Sequence, residues 1–218
     1  MLTTTEENYL KALFHLSASE EGKNNAGINE LAIFLGLRPA TCNEMCKRLK
    51  EKQLVDYERY GKVTLTEEGR QHAIGVIRKH RLWETFLYEK LHFTWDEVHE
   101  VAEQLEHIQS VKLIDRLDEF LSYPRHDPHG DPIPDAQGYM LPEVRNTLAD
   151  IKPDETCKIV GVKDNSAPFL QHVARIGLSL GTDIRVNRLN PFDHTVEIDV
   201  NCTSHTISRK FAEHILVV

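Results

Sequence analysis

The sequence predicts a mainly α-helical chain with a C-terminal β-barrel, and three observations carry that expectation. Apolar residues recur with helical spacing as far as Ser122, a proline-rich stretch follows, and short β-type runs fill the remainder. Within the helical part, two helices joined by a glycine turn precede an alternating hairpin, the order of a winged helix-turn-helix.

Taken in order, Thr4-Thr5-Glu6-Glu7 opens a first helix, with Thr4 capping and Glu7 reaching back, and Tyr9, Leu10, Leu13, Phe14 and Leu16 form its apolar stripe. SASEEGKNNAG is a turn. A second helix is expected from Ile28 to Leu35, with Leu31 and Phe34 inward, stopping at Gly36, and Pro39 starts a third that runs to Lys52. Leu54–Glu58 and Lys62–Leu65 alternate around Arg59-Tyr60-Gly61 and form the wing. In such a module the third helix enters the major groove. Arg38, Thr41, Asn43, Glu44 and Lys47 then face bases and phosphates, and Arg48, Arg59 and Lys62 hold the DNA backbone. Cys42 and Cys46 share a face of that helix and are read as small packing residues.

A long helix follows from Thr66 through Phe86 and carries His80 and Glu84 one turn apart. After a break around His92 to Thr94, a further helix places His99, Glu103, Glu106 and His107 on one face at i, i+4, i+7 and i+8. Val98, Val101, Ala102 and Leu105 form an apolar arc beside them, so these metal-type ligands sit at the edge of a buried face rather than in open water. Ser110–Ser122 is another amphipathic helix, and its apolar face serves either a dimer contact or an internal core. Tyr123 to Asp135 holds four of the nine prolines and is a linker. Beyond Leu141 come strands Cys157–Val162, Asp183–Asn187, Thr195–Val200 and Ile215–Val218 and a short helix, Phe169–Ile176: a small barrel without a nucleophile elbow or phosphate-cradling loop.

Composition narrows the function classes. The 218 residues carry a formal net charge of -8, with 40% hydrophobic and 28% charged residues, as expected of a globular chain. There is no long apolar run and no signal-peptide pattern, which points to a cytoplasmic protein without a membrane partner. The four cysteines form no CxxC pair and read as free thiols. Charge is segregated: Arg38–His80 holds 10 Lys and Arg against 6 Asp and Glu, whereas Arg81–Asp135 holds 5 against 13. A basic DNA-binding head followed by an acidic cation-binding body fits that polarity. Two other readings remain open: a metallohydrolase, because His99-Glu100-x-x-Glu103 approaches a zinc-hydrolase motif, and a metal-independent DNA-binding regulator whose acids are a solvated face.

TTEENYLKALF, LTEEGRQHA, RKHRLWE, VHEVAEQLEH and PHGDPIP, in this order, resemble the diphtheria toxin repressor family of iron- and manganese-dependent regulators across essentially the whole chain. The resemblance implies a homodimeric repressor on double-stranded DNA with a palindromic operator. It divides the chain into a winged-helix domain (1–72), a helical metal-binding and dimerisation domain with the linker (73–140), and an SH3-like domain similar to ferrous-iron transport A proteins (141–218). It also implies two metal sites per subunit. The primary site draws on Asn8, Glu103, Glu106 and His107, with His80 nearby, and the ancillary site on His80, Glu84, His99, Asp127, His129 and Asp164. Glu103 stands where iron-responsive members have cysteine, and oxygen ligands favour Mn2+ or Fe2+, with Zn2+ or Co2+ able to compete. The first-helix ligand is typically Asp or Met; here it is Asn8, and Lys11 stands where some manganese regulators have a second acid.

Overall fold

The structure, a computed structural model, describes residues 2–18, 23–57, 61–142, 144 and 146–218. The chain forms two compact units. One comprises Met1–His80, Leu105–Gln109 and Pro134–Tyr139; the other comprises Arg81–Gln104, Ser110–Ile133 and Met140–Val218.

In the first unit, α1 (Thr4–Ala18) buries Tyr9, Leu10, Leu13 and Phe14. Its cap is one residue earlier than the sequence suggests: the Thr3 hydroxyl accepts from Glu6 N at 3.3 Å and Glu6 Oε2 accepts from Thr3 N at 2.9 Å. That shift frees Glu7 for another role. β1 (Asn25–Gly27) lies inside the stretch expected to be only a turn, because it pairs antiparallel with β3 (Lys62–Leu65), which also pairs with β2 (Val55–Tyr57). α2 (Ile28–Leu35) ends on Gly36 at φ +65°, and α3 (Pro39–Glu51) starts on its proline. Leu31 is buried as expected, but Phe34 is 53% exposed. α2 is only two turns long, and its inner face is filled by Leu31 and Ala32. α4 (Glu67–Leu91) is capped by Thr66, whose hydroxyl accepts from Gly69 N at 3.1 Å, with Glu67 and Glu68 in its first turn where the helix dipole favours acids. Gly69 is required there because a Cβ would collide with the Leu54 carbonyl.

The second unit begins partway along α4. That helix ends at a left-handed His92 (φ +57°), and α5 (Val98–Leu105) follows after the break. α5 is shorter than the ligand row suggested: Glu106 and His107 lie in the turn beyond it. α6 (Val111–Phe120), capped by Ser110, buries Ile114 and Leu117 and leaves Val111 and Phe120 exposed. Its inner face joins Leu82, Leu121 and Ile133 in a small core. The C-terminal part holds β4 (Thr156–Val162), α7 (Ala167–Arg175), β5 (Asp183–Leu189), β6 (Val196–Val200), β7 (Thr203–Ile207), α8 (Arg209–Ala212) and β8 (Ile215–Val217). Its antiparallel sheet runs β7-β6-β5-β4-β8, curled around Ile159, Ile184, Val186, Ile198 and Ile215 as a small open barrel. β7 and α8 were not anticipated, since the sequence SHT and the four-residue α8 carry almost no apolar period. Trp95, in the turn before α5, packs against this core and ties it to the helices of the same unit.

Candidate metal centres and DNA-binding face

On α3, Cys42, Cys46 and Leu49 face inward, which turns Thr41, Glu44, Lys47 and Arg48 outward. Arg38, just before the helix, and Lys62 on β3 are exposed as well. Glu44 and Lys47 pair at 2.7 Å. Asn43 is half-buried, and its side-chain carbonyl accepts from the Tyr57 hydroxyl on β2, so the wing and α3 are tied by a side-chain bond. Arg59 lies outside the described residues. The Cys42 Sγ accepts from the Tyr9 hydroxyl at 3.4 Å. Burial, with Cys42 beside it, pushes the Cys46 thiol up to about 12, so it is an inert packing group.

The first ligand set gathers in the first unit. Glu106, 1% exposed as a side chain, receives Lys11 Nζ on both oxygens at 2.7 and 2.8 Å, and its Oε2 lies 2.5 Å from His80 Nδ1. Burial opposes ionisation of Glu106, but the His80 hydrogen bond and the Lys11 charge outweigh it and hold the carboxyl below its ordinary value. His107 bridges two acids: Nδ1 lies 2.5 Å from Glu7 Oε2, and Nε2 lies 3.5 Å from Glu106 Oε1. Gln109 Nε2 donates to Glu7 Oε1 at 2.8 Å, and Lys79 stands 3.9 Å from Glu7. Asn8 Oδ1 is buried and has no hydrogen-bond partner. A cation would satisfy that orphaned oxygen, but the Lys11 ammonium already holds both oxygens of Glu106, so this set fits a metal only with Lys11 displaced. Glu103 is exposed on α5 in the second unit, 3.6 Å from His99 Nε2.

The second set is deeper. Glu84, Asp127 and His129 are each buried and offer ligand atoms that all lie within 4.8 Å of one another. Asp127 Oδ1 is occupied by the backbone N–H groups of His129 (2.8 Å) and Asp131 (3.0 Å), an Asx turn that leaves Oδ2 facing the cluster. His129 Nε2 donates to the Trp95 carbonyl at 3.0 Å, and Nδ1, the nitrogen left for a cation, lies 3.8 Å from Glu84 Oε2. Both Asp127 Oδ2 and His129 Nδ1 are buried without a hydrogen-bond partner. Burial, then the neighbouring Asp131 and Glu84 charges, push Asp127 well above the ordinary carboxylate value despite His129 and Arg81. Burial works against charge on His129, yet Glu84 and Asp127 raise it above its ordinary value. Two inward-facing orphaned ligand atoms and an excess of acid are what a hard or borderline divalent cation relieves, so this set fits one. His99 Nδ1 reaches Glu84 Oε1 at 3.1 Å from the rim. Arg81, bonded to the Pro132 carbonyl at 2.6 Å, is the counter-charge, 3.8 Å from Asp127 Oδ2 and 3.5 Å from Asp131. Asp164 is not brought into this group: its carboxylate accepts from Ser166 N at 2.8 Å at the start of α7.

Sequence reasoning passed over Glu7, Gln109, Arg81 and Trp95. For Glu7 a signal existed, since Glu7 and Lys11 share a helical face at i, i+4.

Three family models match the chain: "Iron dependent repressor, N-terminal DNA binding domain" over residues 1–63, "Iron dependent repressor, metal binding and dimerisation domain" over 66–135, and "FeoA domain" over 146–218. The iron-dependent repressor IdeR of Mycobacterium tuberculosis is 35% identical over 133 residues, which cover 61% of this chain and 56% of that relative, so the chain matches little more than half of its length. A solved structure described as a manganese-dependent transcriptional repressor in complex with manganese is 34% identical, covers 98% of this chain and 99% of its own, and superposes with a TM-score of 0.84. ScaR with bound Cd2+ is 32% identical, with 98% of each chain covered and a TM-score of 0.77. With a winged helix at one end, a FeoA domain at the other and acid–imidazole sets between, the chain belongs to the diphtheria toxin repressor family of iron- and manganese-dependent regulators.

Proposed function

We propose that the protein is a metal-dependent, DNA-binding transcriptional repressor of metal-ion uptake, acting in the cytoplasm as a homodimer on a palindromic operator with Mn2+ or Fe2+ as corepressor. The observation that carries the metal dependence is the buried Glu84–Asp127–His129 set with its two orphaned ligand atoms. Glu84, Asp127 and His129 hold the ancillary cation, with His99 at the rim, His80 one turn before Glu84 on α4, and Asp164 as a ligand recruited from the loop after β4. Asn8, Glu103, Glu106 and His107, with His80, are the primary set. When bound, the cation supplies positive charge to acids that otherwise face one another. Arg38, Thr41, Asn43, Glu44 and Lys47 read the major groove, and Arg48, Arg59 and Lys62 grip phosphates. The working division is 1–72 for DNA binding, 73–140 for metal binding and dimerisation, and 141–218 for the SH3-like domain. Repression is coupled to metal if the loaded ligand sets favour the head spacing that matches two half-sites about one helical turn apart.

Gel-shift titration on a palindromic operator, with Mn2+, Fe2+, Zn2+ and chelator side by side, tests this. Tight binding only with metal is expected, and Glu84→Gln should weaken it. Binding indifferent to metal and chelator supports the second reading, a metal-independent regulator, which the Lys11 ammonium already seated on Glu106 favours at the primary set. The repressor-domain matches leave no place for the hydrolase reading.

A further inference from the structure

The first-helix charge expected at Asn8 is missing, yet α1 still presents a carboxylate to the primary set, one residue earlier. Glu7 is almost fully buried, and each of its oxygens has a partner: Oε2 meets His107 Nδ1 at 2.5 Å and Oε1 receives Gln109 Nε2 at 2.8 Å. Glu7 is therefore held from two sides and aimed at an imidazole rather than at the space before Asn8 Oδ1. Nδ1 must carry the proton in that bond, because an ionised carboxylate only accepts. The other nitrogen, Nε2, is the one left for a cation and lies 3.5 Å from Glu106 Oε1.

A carboxylate on one imidazole nitrogen fixes ring orientation and tautomer and makes the opposite nitrogen a better donor to a metal. We propose that Glu7, steadied by Gln109, is a positioning residue that sets His107 for cation binding through Nε2, so that the negative charge absent at Asn8 reaches the primary site through the imidazole. This rests on the reading of His107 as a ligand. The charges around the pair are Lys79 from α4, 3.9 Å from Glu7, and Lys11 from α1, bonded to Glu106.

The test uses the full-length protein with the ancillary set disabled by Asp127→Asn, so that one class of site is titrated. Mn2+ affinity is measured by calorimetry, and the His107 tautomer by nitrogen-15 NMR of histidine-labelled, Zn2+-loaded protein. Glu7→Gln, whose amide oxygen still accepts from Nδ1 but brings no charge, is expected to lower Mn2+ affinity about 10–100-fold and to shift and weaken the hydrogen-bonded Nδ1 proton signal. Asn8→Asp in the same background is expected to restore affinity but not that signal. His107→Ala must abolish the titratable site; if it does not, the ligand reading itself fails. Should His107→Ala abolish binding while Glu7→Gln leaves affinity and tautomer unchanged, the ligand reading stands and the role given to Glu7 is overturned. If Glu7→Gln does not fold, Gln109→Leu carries the test: it keeps the carboxylate but removes one of its holders. An affinity loss of about threefold or more with a weakened Nδ1 signal is then expected, and no change in either overturns the proposal.

Discussion

The His129 imidazole lies parallel to the Trp95 indole, with ring centroids 5.9 Å apart and planes within 9°. The two residues are also latched through their surroundings: His129 Nε2 donates to the Trp95 carbonyl, and Trp95 Nε1 donates to the Pro128 carbonyl at 2.6 Å. With His129 as a ligand, as proposed, its stacking on Trp95 gives an optical readout of the buried set. In a Trp83→Phe background only Trp95 emits, since the chain has two tryptophans. Paramagnetic Mn2+ is expected to quench it saturably, and Glu84→Gln to abolish the quenching at the same concentrations. Equal quenching in both proteins would place the cation elsewhere.

Gly130 follows His129 at φ +89°, and a Cβ there would strike the Val160 carbonyl and Gly161 of β4. Gly130→Ala meets both the left-handed backbone penalty and that collision, so a loss of at least about 2 kcal/mol is expected in chemical denaturation. The His129 carbonyl also accepts from Val162 N at 3.0 Å, so the loop that carries Asp127 and His129 is fastened directly to the sheet. Weaker Mn2+ binding should accompany the stability loss.

Asp96, before α5, accepts from Gln171 of α7 at 2.7 Å. The Gln171 bond, then that of Thr94, holds its carboxyl below the ordinary value. A depressed carboxyl contributes stability that is present above its unfolded-state value and fades as pH falls through the lowered folded-state value. Gln171→Ala should therefore lower the melting temperature at neutral pH, and the gap from wild type should close in acid. A gap that persists or widens in acid contradicts this assignment.

Lys11 is 15% exposed and serves a nearly fully buried Glu106. Lys11→Met strips that carboxylate of its cation while leaving His80, so the metal-free protein is expected to lose about 1–3 kcal/mol, less than for a pair with no second partner. The same substitution should strengthen Mn2+ binding at the primary set, because nothing then has to be displaced from Glu106. Unfolding and metal titration should move in opposite directions.

On the DNA-binding face, Lys47→Ala is expected to weaken operator and random-sequence binding alike and to reduce the slope of log affinity against log salt by about one unit. Asn43→Ala should instead relax base preference with little change in slope. Reversed outcomes would exchange their roles.

The winged helix and the spacing of the candidate ligands are legible because both rest on local rules. Gly36 and Pro39 mark helix ends wherever they occur in such a pattern, and His80, Glu84 and His99 follow helical spacing. Ile28–Leu35 was placed to the residue. What escaped depended on partners distant in sequence. β1 exists only because Asn25–Gly27 meets Lys62–Thr64, and Phe34 is exposed because of how little α2 must cover. Asp127 and His129 gained meaning from family likeness; their burial against Glu84 comes from tertiary packing that no local period encodes. Thr3 and Thr4 offer equally good starts, so local rules place Glu7 in the cap that Glu6 fills.

Glu106 and His107 stand in the turn after α5, not on the helix. Neighbours in a turn can reach different elements, and these two do: Glu106 reaches His80 on α4 and Lys11 on α1, while His107 reaches Glu7 on α1. A two-residue step thereby works as a rivet through α1 and α4, and its grip depends on register rather than on composition. Inserting a single alanine between Leu105 and Glu106 would keep both side chains in the chain and still deal each of them to the wrong partner.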